Sequence, residues 1–186
     1  ACSAEWVPIK PKTDAAFLFA LVHTLLHEIP RARLDLRFLV KHTSSPYLVG
    51  PHGYYLRDRA TRKPLVWDSA RRAALPYDAP GVVETLEGRF ESDAIEIGPD
   101  DEILADGALE GETAFSKLVA HMAQYSPEWA ETLCEVAAPT MRRIANEFVG
   151  HARVGETLWV PMPGGDIEVT VTKPVFYDVE GARLHA

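Results

Sequence analysis

The chain has 186 residues, 47% of them hydrophobic and 25% charged, with 19 Lys/Arg against 27 Asp/Glu for a net charge of −8. This length suits one domain with a sizeable core, and the composition is that of an ordinary globular protein. The acidic balance argues against nucleic acid as a partner and against an anionic membrane surface, since both select a basic field.

At the N-terminus, Trp6-Val7-Pro8-Ile9-Lys10 reads as extended, with Pro8 at an edge or strand end. Pro11-Lys12-Thr13-Asp14 then leads into an apolar helix. Thr13 suits the N-cap, and Asp14 places a carboxylate where the helix dipole favours it. Residues 15–26 are apolar almost all round, which predicts burial on most faces. Pro30 stops this helix, and Asp35 to His42 forms a second, short one with Leu36, Leu39 and Val40 on one face.

A β-rich stretch follows. Tyr47-Leu48-Val49 and Tyr54-Tyr55-Leu56-Arg57 flank a Gly50-Pro51-His52-Gly53 turn, and Pro64 to Asp68 makes a third strand. Residues 61–112 hold five basic and thirteen acidic side chains, whereas residues 1–60 hold eight and five. Turn signals crowd this middle part, at Pro80-Gly81, Gly98-Pro99 and Asp106-Gly107. Residues 76–112 are therefore expected to be a long acidic surface excursion and the least ordered part of the chain. Its acidity has two readings, a solvated loop or a docking surface for a basic partner.

Helical periodicity resumes with Phe115, Leu118, Val119 and Met122. Ser126-Pro127-Glu128 starts a short helix bearing Trp129 and Leu133. Pro139 starts another, with Met141, Ile144, Ala145 and Phe148 on one face and Gly150 near its end. Leu158-Trp159-Val160 and Ile167 to Val171 flank Pro163-Gly164-Gly165-Asp166, a C-terminal hairpin.

Little in these residues announces chemistry. His23 and His27 have the i, i+4 spacing that can share a metal, but Thr24 stands where a metalloprotease has Glu and no third ligand follows from spacing. Satisfied structural histidines are the plainer reading, and no metal ligand is assigned. No nucleophile elbow or phosphate loop occurs. Cys134 reads as a small buried hydrophobe, and Arg142-Arg143 as a solvated face. Cys2 and Cys134 are too few for a disulfide scaffold, and no CxxC pair offers a metal nest. The longest apolar run, residues 15–22, falls far short of the ~20 residues that cross a bilayer. The opening residues have neither a basic nor an apolar signal region and no initiator Met, and the chain reads as a piece of something longer.

The run Glu5-Trp6-Val7-Pro8-Ile9-Lys10-Pro11-Lys12-Thr13-Asp14-Ala15-Ala16, followed by an apolar helix, resembles a segment of the molybdopterin oxidoreductases, the dimethyl-sulfoxide-reductase superfamily. Asp35 to Thr43 is similar to a further segment of that family, and Ser45 to Val49, Tyr54 to Asp58, Lys63 to Asp68, Tyr125 to Ala130 and Thr140 to Ala145 are similar, in the same order, to the branch handling sulfur or arsenic oxyanions. The likeness covers about residues 5–155. Lys12 departs from it, standing where the family usually has Gly.

The resemblance implies an α/β fold, part of a doubly wound, Rossmann-like sheet domain. Residues 1–45 and 113–155 would form its α/β core, 46–112 a β-rich acidic insertion and 156–186 a β-hairpin tail. It implies that Lys12, Thr13 and Asp14 touch the guanine-nucleotide end of a molybdopterin guanine dinucleotide. A carboxylate can accept both N1–H and N2–H₂ of guanine in a charge-assisted pair. The competing reading is that Thr13 and Asp14 only cap the helix.

The implied parent reduces or oxidises a sulfur or arsenic oxyanion at molybdenum and carries an iron–sulfur cluster. Its partners would be the remainder of the catalytic polypeptide, with iron–sulfur electron-transfer and membrane-anchor subunits, on either side of the membrane. No residue of this chain is assigned to the chemical step, and the chain alone is expected to hold no molybdenum and be inactive. The alternatives are a non-catalytic nucleotide- or protein-binding module of the same fold and, more weakly, a metal hydrolase built on His23 and His27.

Overall fold

The computed structural model describes residues 5–151, 157–160, 165 and 167–170. The fold mixes helices with antiparallel strands, and the chain divides into two compact units, residues 1–25 with 125–186 and residues 26–124.

In the first unit, α1 (Asp14–His23) packs against α4 (Pro127–Cys134) and α5 (Ala138–His151). The contact surface is built from small residues. Ala16 and Ala20 of α1 meet Ala130, Cys134, Val136, Ala138 and Met141, with Phe17, Leu21 and Trp129 closing the edges. Alanine-sized side chains let helices approach closely, so α1 turns its alanines inward. Leu18 (55% exposed) and Phe19 (39%) face outward, contrary to the burial on most faces that the apolar run predicts. Cys134 is fully buried, as expected.

The start signals of α4 hold. The Ser126 side chain accepts from the Trp129 N–H, and Pro127 occupies the first turn. The hydrogen bond from Arg142 and then its own backbone N–H bring the Glu128 carboxyl down to about 2. Arg143 pairs with Glu5 and Glu147, so neither arginine is merely solvated. Strands β7 (Thr157–Val160) and β8 (Ile167–Thr170) form the expected antiparallel hairpin, registered Thr157 to Thr170 and Val160 to Ile167. The Pro163-Gly164 turn, Cys2 and the chain beyond residue 170 lie outside the described residues.

The second unit holds α2 (Leu36–His42), six strands and α3 (Ala114–Met122). Asp35 caps α2 by accepting from the Phe38 N–H, and Thr113 caps α3 by accepting from the Ser116 N–H. Strands β1 (Leu48–Val49), β2 (Leu56–Arg57), β5 (Arg89–Ile97) and β6 (Ile103–Thr113) form a sheet in the order β1-β6-β5-β2. A Val49–Tyr55 bridge links its two outer strands, so the sheet curls back on itself. Strands β3 (Leu65–Asp68) and β4 (Ala73–Pro76) pair separately, tied in by Tyr47–Val66 and Arg57–Pro64 bridges. All described pairings are antiparallel, and the parallel doubly wound sheet is not among the described residues.

The greatest departure from expectation is at 76–112. Strands β5 and β6, the longest pair in the structure, occupy most of it, registered from Arg89–Glu112 to Ile97–Ile103. The inward positions of β5 are Phe90, Ser92, Ala94 and Glu96, half of them polar, so hydrophobic alternation does not reveal the strand. Asp106-Gly107, a turn signal in sequence, lies inside β6, with Gly107 at φ +130° opposite Ala94.

The acidity of this stretch is largely matched within the unit. Arg59 bridges Asp93 and Asp106, Arg62 holds Asp101, Lys63 holds Asp78, Lys41 holds Glu84, Arg31 holds Glu87, and Arg89 spans Glu110 and Glu112. Burial raises the pKa of the Asp68 carboxyl, but the Arg71 and Ala70 N–H groups and the Arg71 guanidinium overcome this and hold it below the usual carboxylate range.

Candidate functional site

The residues singled out by sequence meet at the start of α1. Lys10-Pro11-Lys12-Thr13 is a tight turn in which the Thr13 N–H donates to the Lys10 carbonyl at 3.3 Å. Proline at the second position and a positive φ at the third are the marks of a type II turn, which normally places Gly or Asn third. Lys12 takes that place at φ +69°. A Lys12→Gly substitution is therefore expected to leave the turn intact and raise stability by up to about 1 kcal/mol, the left-handed penalty less the entropy of glycine. Lys12→Val should lower it. Thermal unfolding of the two variants beside the wild type checks the order.

Thr13 sits at the N-cap position but does not cap by its side chain. Its hydroxyl donates back to the Lys10 carbonyl at 2.6 Å, tightening the same turn. This corrects the capping expectation: the turn recruits the hydroxyl before the helix can. Asp14 follows as the first helical residue, exposed, and its carboxylate has no hydrogen-bond or ion-pair partner among the described residues. On the far side, the Lys10 N–H donates to the Cys134 carbonyl at 3.1 Å, and Lys10 Nζ pairs with Glu135. The turn is thus pinned to the end of α4 while Lys12 and Asp14 stand free in solvent.

The two histidines differ in their surroundings. His23 is buried in the first unit. His27, in the second, is exposed and its Nε2 lies 2.9 Å from the Val119 carbonyl. No group of three potential ligands occurs among the described residues. Nor is any described helix long and apolar enough to cross a membrane.

The Gly50-Pro51-His52-Gly53 turn is where the sequence places it, closed by a Gly53 N–H to Gly50 carbonyl bond, but sequence reasoning missed the carboxylate beneath it. Glu96 is fully buried and accepts from the His52 N–H at 3.0 Å, the Tyr54 N–H at 3.0 Å and His52 Nδ1 at 2.9 Å. Glu96 continues the inward-facing set Phe90, Ser92 and Ala94, so strand alternation turns its carboxylate inward, and the register shifts only after it, between Glu96 and Ile97. Gly50 makes room for it: a Cβ there would lie 2.6 Å from Glu96 Cδ. Gly50 was the only sequence signal, and it read simply as a turn residue.

The chain is 29% identical, over 206 aligned residues, to a sulfite dehydrogenase subunit of Allochromatium vinosum. The alignment takes in all of this chain and 20% of that protein, so the chain spans about a fifth of the length of the curated relative it matches. No family model matches the chain.

Proposed function

We propose that this chain is a segment of a molybdenum-dependent oxidoreductase and that its Lys12-Thr13-Asp14 turn helps hold the guanine-nucleotide end of a molybdopterin guanine dinucleotide. The observation that carries the reading is the likeness, along its full length, to one part of a sulfite dehydrogenase. That likeness favours a sulfur oxyanion over an arsenic one as the parent's substrate. The turn fits the nucleotide in one respect that can be checked: Asp14 is exposed with a carboxylate free to accept, at a helix start that no side chain caps. Lys12 offers a cation beside it, and the backbone of the turn already takes the form in which the family usually has Gly.

When bound, the cofactor supplies two-electron chemistry at its metal. The work of these residues is to recognise and anchor its distal end. A doubly wound sheet, an iron–sulfur cluster, and electron-transfer and membrane-anchor subunits belong to the proposed parent, which would work in the periplasm or at the cytoplasmic face of a membrane.

The test is Asp14→Asn in the full-length parent. Asn presents an NH₂ donor to a guanine donor and gives up a charge-assisted bond worth about 1.5–3 kcal/mol. Molybdenum and guanine-nucleotide content should fall about tenfold or more, while the melting temperature of the cofactor-free protein barely moves. Equal content in variant and wild type would leave Asp14 as a helix-start residue and defeat the nucleotide role.

A further inference from the structure

The second unit carries an open cleft of about 480 Å³ bounded by the 50–54 turn, β2, the end of β5 and the start of α3. Val49 and Ile97 give it apolar walls, Tyr54 and Tyr55 bring aromatic faces and hydroxyls, and Arg57 and Lys117 bring charge. No carboxylate lines it, in a chain whose net charge is −8. Most cations of this unit are already paired with acids. These two are not: Arg57 donates one Nη1 bond to the Arg62 carbonyl at 2.9 Å, and Lys117 has no ion-pair partner among the described residues.

The rim is built to stay in place. Buried Glu96 accepts the Tyr54 N–H from beneath, and the Tyr55 ring meets Tyr47 edge to face at 5.3 Å. Ile97, next to the register shift at the end of β5, lines the cleft. A buried carboxylate is a costly way to fix a surface turn, and here it holds a residue that lines the cleft.

We propose that this cleft binds a small organic oxyanion, a carboxylate or phosphate group carried on an aromatic or aliphatic body. The volume lies within the range of small-molecule sites. Two unpaired cations select the anionic end, the guanidinium with its remaining donors and the ammonium as a mobile point charge. The tyrosine faces and aliphatic walls take the body. The first two N–H groups of α3 already donate to the Tyr47 and Ser45 carbonyls, so the anion is held by side chains and not by the helix terminus. The inference is independent of the molybdenum reading.

Phenyl phosphate is the probe, with the full chain followed by amide chemical shifts and with phenol and inorganic phosphate as comparisons. Saturable shifts are expected at Gly53, Tyr54, Tyr55 and Lys117, with a dissociation constant of roughly 0.1–5 mM for so small and exposed a ligand. Inorganic phosphate should bind several-fold more weakly and phenol not measurably. Arg57→Gln and Lys117→Gln should each weaken binding about three- to fivefold, and raising salt to about 0.5 M should weaken it in the wild type too. Both cations are at the surface, so the fold should survive their removal; the salt series on unaltered protein tests the charge requirement without a variant. Shifts that do not saturate, that ignore salt, or that persist in both variants would overturn the proposal.

Discussion

Replacing Glu96 with alanine is expected to destabilise the second unit by about 2–4 kcal/mol, since a cavity opens where the side chain was and the His52 and Tyr54 N–H groups lose their acceptor. No part of this side chain reaches solvent, yet it is formally an acid. Its desolvation is offset by two backbone donors and His52 Nδ1, all within 3.2 Å. Glu96→Gln keeps the shape and one acceptor oxygen but sets an NH₂ against a donor, so a smaller loss of about 1–3 kcal/mol is expected. Glu91, on the same strand but exposed, is the control, and its alanine variant should fall within about 0.5 kcal/mol of wild type. The readout is urea unfolding followed through amide exchange of β5 and β6, which isolates this unit from the helices. A Glu96→Ala midpoint equal to that of Glu91→Ala would mean the turn stands without its carboxylate.

What was legible in the sequence follows the physics of each signal. Helix starts at Asp35, Thr113 and Ser126 are local events, one side chain reaching an N–H a few residues on, and they read correctly. Thr13 shows the limit of the same rule: the residue type was right for a cap, but a carbonyl three residues back captured the hydroxyl. The β5–β6 pair was invisible because its inner face mixes Phe90 and Ala94 with Ser92 and Glu96, and the partners of Glu96 lie about forty residues away in the chain.

Charge did carry a long-range message. A basic stretch followed by an acidic one is what a segment looks like when it folds onto its predecessor, as Arg31–Glu87, Lys41–Glu84 and Arg59–Asp93 show. These pairs are partly exposed, each worth little alone. They decide which segments lie together more than how tightly.

The candidate sites divide the same way. Lys12, Thr13 and Asp14 are consecutive and could be named from a motif, whereas Arg57 and Lys117 are sixty residues apart and meet only through the curl of the sheet.

Leu56 is where that curl is held, and Leu56→Ala is expected to cost about 3–5 kcal/mol, the upper part of the range for buried leucine. It is fully buried on β2, an outer strand of the sheet, and packs with Leu48, Leu65 and Ala94. Two glycines receive its methyl groups. A Cβ on Gly111 would lie 2.6 Å from one Cδ and 3.1 Å from Leu48 Cβ; a Cβ on Gly50 would lie 2.6 Å from the other Cδ. Truncation leaves the space between two backbones with nothing able to fill it. The reverse change is overpacking, and Gly111→Ala in the wild type should cost about 1–3 kcal/mol as Leu56 is pushed off its rotamer. In the Leu56→Ala background the 2.6 Å clash is gone and only the 3.1 Å contact with Leu48 Cβ remains, so Gly111→Ala should cost markedly less and can recover part of the lost packing. The double-mutant cycle should then show a coupling of at least about 1 kcal/mol, well outside the ~0.3–0.5 kcal/mol scatter of independent sites. Additive losses would place Leu56 and Gly111 in separate environments, and the glycine in β6 would then need a reason other than the leucine that fills its space.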